Sequence, residues 1–172
     1  MLKIAGAIFI FLGAIGLGSN MNRRIRQHYH ELLELKELIL LLGNEMRFLK
    51  IPLPQIMKRT AAQTSQPFSD ALLHMAAEME GYQEADAGKI WREVIQKKKS
   101  SYLLEEDEFQ IFLEAGSILL HDNSYMQGEE IKLFTERISY KIQHAQEELL
   151  NRQKVCRYLS AAGGIFLILM LL

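Results

Sequence analysis

"MNRRIRQHYHELLELKELILLLGNEMRFL", Met21–Leu49, decides the fold. Met21, Ile25, His28, Leu32, Leu35, Ile39, Leu42, Met46 and Leu49 recur at alternating steps of four and three, which lines one face of an α-helix. His28 is the one polar member of this seam. Leu33, Leu38, Leu40 and Leu41 broaden the apolar face beyond a two-strand zipper. The stretch therefore predicts a bundle helix. The alternative is a coiled-coil stalk of a membrane receptor or signalling protein, dimerising through the same seam.

Toward the C-terminus, "IPLPQIM" breaks this helix, because Pro52 and Pro54 cannot continue it and Pro54 suits a new first turn. A second helix is expected from Pro54 to Ala62. "QTSQP" reads as a turn, with Ser65 or Ser69 able to cap a third helix over Phe68–Glu80 that Gly81 closes. Leu72, Met75, Ala76 and Met79 form its stripe. A fourth helix is expected from Glu84 to Lys97, with Ala87, Ile90, Trp91, Val94 and Ile95 inward and Lys97, Lys98 and Lys99 at its dipole-favoured end. "EEDE", Glu105–Glu108, opens a fifth with the opposite charge at the opposite pole. Its stripe is Phe109, Phe112, Leu113, Gly116 and Leu119 or Leu120. After the loop "HDNSYMQG", a last helix should start between Gln127 and Glu130 and carry Ile131, Phe134, Ile138, Ile142, Ala145 and Leu149 inward.

Outward from the bundle the chain turns apolar at both ends. Ile4–Gly18 and Tyr158–Leu172 carry no charged side chain. Each covers about 22 Å as a helix at roughly 1.5 Å per residue, against a hydrocarbon core about 30 Å thick. Snorkelling cations and local thinning accommodate such short spans. Arg23, Arg24 and Arg26 flank the first segment, and Arg152, Lys154 and Arg157 the second. A cleaved signal peptide would want its charges before the apolar run rather than three arginines after it. A buried core helix, apolar all round, would need partners that a chain of this size rarely offers at both ends. Two membrane helices are the favoured reading. Positive charge on the inner side of both places the middle domain in the cytoplasm and both termini across the membrane.

The expected fold class is thus all-α: a six-helix bundle at 22–157 between N- and C-terminal transmembrane helices at 1–21 and 158–172. The last helix should run unbroken from the bundle into its apolar end, since no Pro or Gly intervenes before Gly163.

Chemistry leaves no trace. The 20 Lys and Arg against 21 Asp and Glu argue against nucleic acid as a partner. Cys156 is alone, so neither an internal disulfide nor a cysteine zinc cage can form; a packed thiol is its default role, with palmitoylation the other. Phosphate-binding, dinucleotide, hydrolase and metalloprotease motifs are absent from the sequence. His28 and His30 point to different sides of a helix, and His74, His121 and His144 are isolated. No catalytic, cofactor-binding or metal-ligating residue is assigned, and no small-molecule substrate is expected. Trp91 reads as a core residue, which leaves the neighbouring Arg92 and Glu93 facing outward as candidate partner contacts.

"IPLPQIMKRTA", "FSDALLHMAAEM", "AGKIWREVI" and "LEEDEFQIFLEAGSILL" together resemble the stage III sporulation protein AB family of endospore-forming bacteria. The more specific marks are the Pro-Leu-Pro before a helix, Trp91–Arg92–Glu93, and Asp122 with Gln127. The resemblance covers the whole chain. It implies a middle domain similar to the cytoplasmic domain of the type II secretion platform protein F. It implies residence in the mother-cell-derived membrane around the forespore, as a non-enzymatic part of a secretion-like channel. The implied partners are membrane lipid and other stage III sporulation A proteins, including the AA protein that resembles a secretion ATPase.

Overall fold

The computed structural model describes the backbone at residues 2–49, 51–81, 86–120 and 124–171. It describes their side chains except at 2–22, 117–118, 124–128, 156–157, 160–161 and 164–171. Among the described residues the chain forms six α-helices and no strand. They are α1 (Leu2–Phe48), α2 (Leu53–Ala61), α3 (Phe68–Gly81), α4 (Ala87–Lys97), α5 (Glu106–Leu119) and α6 (Ser124–Leu171), with a 3-10 turn at Lys99–Ser101. The chain divides into a central unit, His30–Ile142, and an outer unit made of Met1–Tyr29 and Gln143–Leu172.

In the central unit the α1 seam is spent inside the protein. Leu32, Leu35, Ile39 and Leu42 are all at most 1% exposed, and Leu38 on the widened face is buried with them. A seam covered by its own chain cannot also zip to a second copy, so the stalk reading loses its interface along Leu32–Leu42. Met46 and Leu49 are half-buried. α2 packs on α3, α3 on α4, and α4 on α5, each through a narrow apolar stripe. Ile56 and Met57 come from α2, Leu72, Met75 and Ala76 from α3, and Ile90, Trp91, Val94 and Ile95 from α4. α5 contributes Phe109, Phe112 and Leu119 as expected, and also Ile111 and Ala115, while Leu113 is only half-buried.

An aromatic cluster fills the middle. Phe112 meets Phe68, Trp91 and Tyr102 edge-on, with ring centroids 5.4, 5.4 and 5.5 Å away, the arrangement ring quadrupoles favour. Gly116 is required by this packing. A methyl group built there would overlap the Trp91 indole, so the absence of a side chain on α5 is what lets the largest side chain lie flat in the core.

Three carboxylates of α1 bind other segments. Glu31, 8% exposed, accepts the Leu103 backbone N–H at 2.9 Å. Glu34 accepts the Ser65 backbone N–H in the turn between α2 and α3. Glu45, 9% exposed, accepts from Arg59 Nε of α2 at 3.1 Å. The Leu103 and Ser65 N–H groups, which lie between helices, are thus tied to the long first helix, and Arg59 ties α2 to it through a side chain.

Several boundaries differ from expectation. α4 begins at Ala87, not Glu84, because Asp86 caps it; Glu84 itself lies outside the described residues. α6 begins at Ser124, before the expected Gln127–Glu130, so most of the supposed loop is helix. A 3-10 turn at Lys99–Ser101 follows α4, where the sequence predicts only a helix end. α1 and α6 are each continuous across both units, as the lack of breakers implied for α6. Among the described residues no helix is long and apolar enough to cross a membrane. The spans expected at 1–21 and 158–172 fall mostly on side chains outside those described.

Candidate interaction surface

α4 shows its two faces in consecutive residues. The Asp86 carboxylate accepts the backbone N–H groups of Gly88 at 2.9 Å and Lys89 at 3.3 Å, which fixes the helix start. Four residues on, Trp91 is fully buried and its indole N–H donates to the Phe112 carbonyl at 3.2 Å. With the ring locked, Arg92 and Glu93 must point outward, and both are exposed. Glu93 lies 4.0 Å from Lys89 one turn earlier, an exposed pair that holds neither side chain firmly. Arg92 forms no ion pair with a described residue. Its planar fork is suited to a carboxylate on another protein.

The lysine run that follows is divided between roles. Lys97 ends α4 and Lys98 caps it. Lys99 reaches Glu106 at 2.7 Å and lies 5.0 Å above the Phe109 ring. Its ammonium, by that hydrogen bond, holds the Glu106 carboxyl below the usual range. Glu105 donates its backbone N–H to the buried Glu108 at 2.7 Å. "EEDE" is a helix start, as read.

Of the expected membrane-flanking cations, Arg23, Arg24, Arg26 and Lys154 are exposed. Arg152 is half-buried and pairs with Glu148 at 2.9 Å. The Arg157 side chain lies outside those described. Beside Lys154 the last helix exposes large apolar groups: Val155 is 56%, Tyr158 71% and Leu159 67% accessible. Phe48, at the end of α1, is 73% exposed with the Arg47 guanidinium 5.7 Å from its ring centre. Sequence reasoning missed Phe48, although its position outside the four-and-three seam was a usable signal.

Tyr102 is buried in the aromatic cluster. Its hydroxyl has no hydrogen-bond partner among the described residues. Burial, with the negative charges of Glu31 and Asp70, pushes the phenol far above its ordinary value. Among the described residues no group of three His, Cys, Asp or Glu side chains could hold a metal ion.

Comparison with known proteins gives concordant matches. The family described as stage III sporulation protein AB matches residues 3–172. A curated relative, stage III sporulation protein AB of Bacillus subtilis (strain 168), is 24% identical over 174 residues and is covered in full, as is this chain. A solved structure of a stage III sporulation protein AB superposes with a TM-score of 0.66 over 72% of this chain and 97% of its own. At 18% identity this is a likeness of fold.

Proposed function

The chain belongs to the stage III sporulation protein AB family, and from that premise we propose that it is a non-enzymatic platform in a secretion-like channel between mother cell and forespore. On this reading 1–21 and 158–172 insert in the mother-cell-derived membrane around the forespore. The helical bundle faces the mother-cell cytoplasm, similar in role to the type II secretion platform protein F. It joins the ATPase-like AA protein to the membrane components of the channel.

One observation carries the reading. The helices that bury the core at Leu32–Leu42 and at Phe134–Ile142 are the same helices, α1 and α6, that continue into the chain's two apolar ends. A bundle whose first and last helices are also its membrane stems is a stand for other proteins. It needs no cleft, and the sequence carries no catalytic motif to fill one. Arg92 and Glu93 are the contacts proposed for a soluble partner, because a locked Trp91 presents them.

The test is charge reversal, Arg92→Glu with Glu93→Arg, in sporulating cells. The variant chain stays in the membrane, and the AA protein no longer co-purifies with it. Undiminished recovery of the AA protein and normal forespore development would remove these residues from the contact surface. Loss of the variant chain itself from the membrane fraction would contradict the platform reading of α4.

A further inference from the structure

The outer unit has a charge pattern that the platform role does not require. No Asp or Glu occurs in residues 1–30 or 149–172. Those same stretches contain Arg23, Arg24, Arg26, Arg152, Lys154 and Arg157. Segments far apart in sequence, Met1–Tyr29 and Gln143–Leu172, form one compact unit, so the cations of both belong to a single body. Arg23, Arg24, Arg26 and Lys154 are exposed, and none forms an ion pair with a described residue. Among the described side chains of these stretches, Arg152 is the cation that is neutralised, by Glu148. Immediately beyond Lys154, Val155, Tyr158 and Leu159 occupy one face of α6 and are exposed. Such an aromatic and aliphatic face beside a cation cluster fits the boundary between headgroups and acyl chains.

Resting on the membrane reading above, we propose that this acid-free collar binds anionic phospholipid headgroups and enriches them around the protein. Arg23, Arg24, Arg26 and Lys154 supply the exposed charge, and Tyr158 marks the depth of the acyl boundary. Clusters of this size beside an apolar helix attract anionic lipid electrostatically, and the attraction is short-ranged and salt-sensitive. A zwitterionic surface offers the same apolar interior without the charge, so lipid identity isolates the collar.

The full chain is reconstituted in vesicles of equimolar phosphatidylcholine and phosphatidylglycerol, and spin-labelled versions of each lipid report which is immobilised at the protein. Phosphatidylglycerol is favoured about fivefold, the effect of roughly one surface cation. The preference falls to parity at about 1 M salt, where screening leaves only about 3 Å of range. It falls to parity also in the quadruple variant R23Q/R24Q/R26Q/K154Q. Equal immobilisation of both lipids by the unmodified chain overturns the proposal. So does specific displacement of the lipid by inorganic phosphate at constant ionic strength, which would make this a free-phosphate site. Carbonate extraction reads the underlying membrane reading separately. A chain released by carbonate has no membrane helices, yet its preference for phosphatidylglycerol vesicles still decides the collar.

Discussion

The two units differ most in charge. Met1–Tyr29 with Gln143–Leu172 holds 7 of the chain's 20 Lys and Arg but only 2 of its 21 Asp and Glu. His30–Ile142 holds the remaining 13 and 19, so side-chain charge is +5 outside and −6 in the middle. The near-neutral total conceals this segregation. Yet α1 and α6 pass through both units without a break. Backbone continuity and chemical environment are therefore separate properties here. The helix needs only good formers, while the charge pattern changes along its length. The central unit is stabilised by its own core. The outer unit, on the proposed reading, is suited to a medium that the protein does not itself provide.

The contrast breaks most visibly at Trp91. Trp91→Ala opens the aromatic cluster and costs about 3–5 kcal/mol, measured by urea unfolding of the detergent-solubilised chain followed by far-ultraviolet circular dichroism. Gly116→Ala should cost about 1–3 kcal/mol by overpacking against the indole. In the W91A background its cost should largely vanish, since the group it strikes is gone. Equal costs in both backgrounds would show that Gly116 serves some other contact.

Next in size is Glu31→Ala, which leaves the Leu103 N–H without its acceptor and costs about 1–3 kcal/mol. Glu31→Gln, which keeps an acceptor, should cost less in the same unfolding experiment. Tyr102→Phe is expected to be neutral or slightly stabilising, because it removes a buried hydroxyl that has no described partner. The same hydroxyl makes stability depend on pH. The folded phenol is raised, so its contribution is complete below the unfolded value near pH 10 and declines above it. Alkaline unfolding should begin at higher pH in Y102F.

The Asp107–Lys141 pair contributes less than the buried contacts above. The Lys141 ammonium, by its hydrogen bond, holds the Asp107 carboxyl low, and the same bond holds Lys141 high. The Asp107 contribution is present above its unfolded value and is lost as pH falls below about 4. Lys141 loses its share only as pH rises past about 10. Asp107 is 58% exposed, so Lys141→Met should change stability by under about 1 kcal/mol near neutrality. In the outer unit, R23Q/R24Q/R26Q/K154Q should leave the same unfolding midpoint within about 0.5 kcal/mol, and a large shift would mean the two units are not energetically distinct.

Much of the central unit was legible because periodicity records burial directly. Leu32, Leu35, Ile39 and Leu42 announced the face of α1, and Trp91 the core of α4. Boundaries set by single hydrogen bonds were harder to read. Asp86 ahead of Ala87 and Gly88 is a capping signal that the apolar pattern overrode. The early start of α6 at Ser124 was hidden by polar residues that look like a loop. Burial of Glu31 and Glu45 could not be read, since a carboxylate's acceptor role depends on loops that fold back from elsewhere in the chain. Arg92 and Glu93 were legible as outward-facing, because a buried Trp91 leaves its neighbours on the exposed side of α4.

The central claim is that the acidic bundle lies in the mother-cell cytoplasm while the basic collar meets the membrane. The direct measurement is labelling of Ser65→Cys, an exposed position, in a Cys156→Ser background with a membrane-impermeant maleimide applied to intact sporulating cells. The account predicts no labelling until the mother-cell membrane is permeabilised, and full labelling afterwards. Labelling of Cys at position 65 before permeabilisation would contradict it.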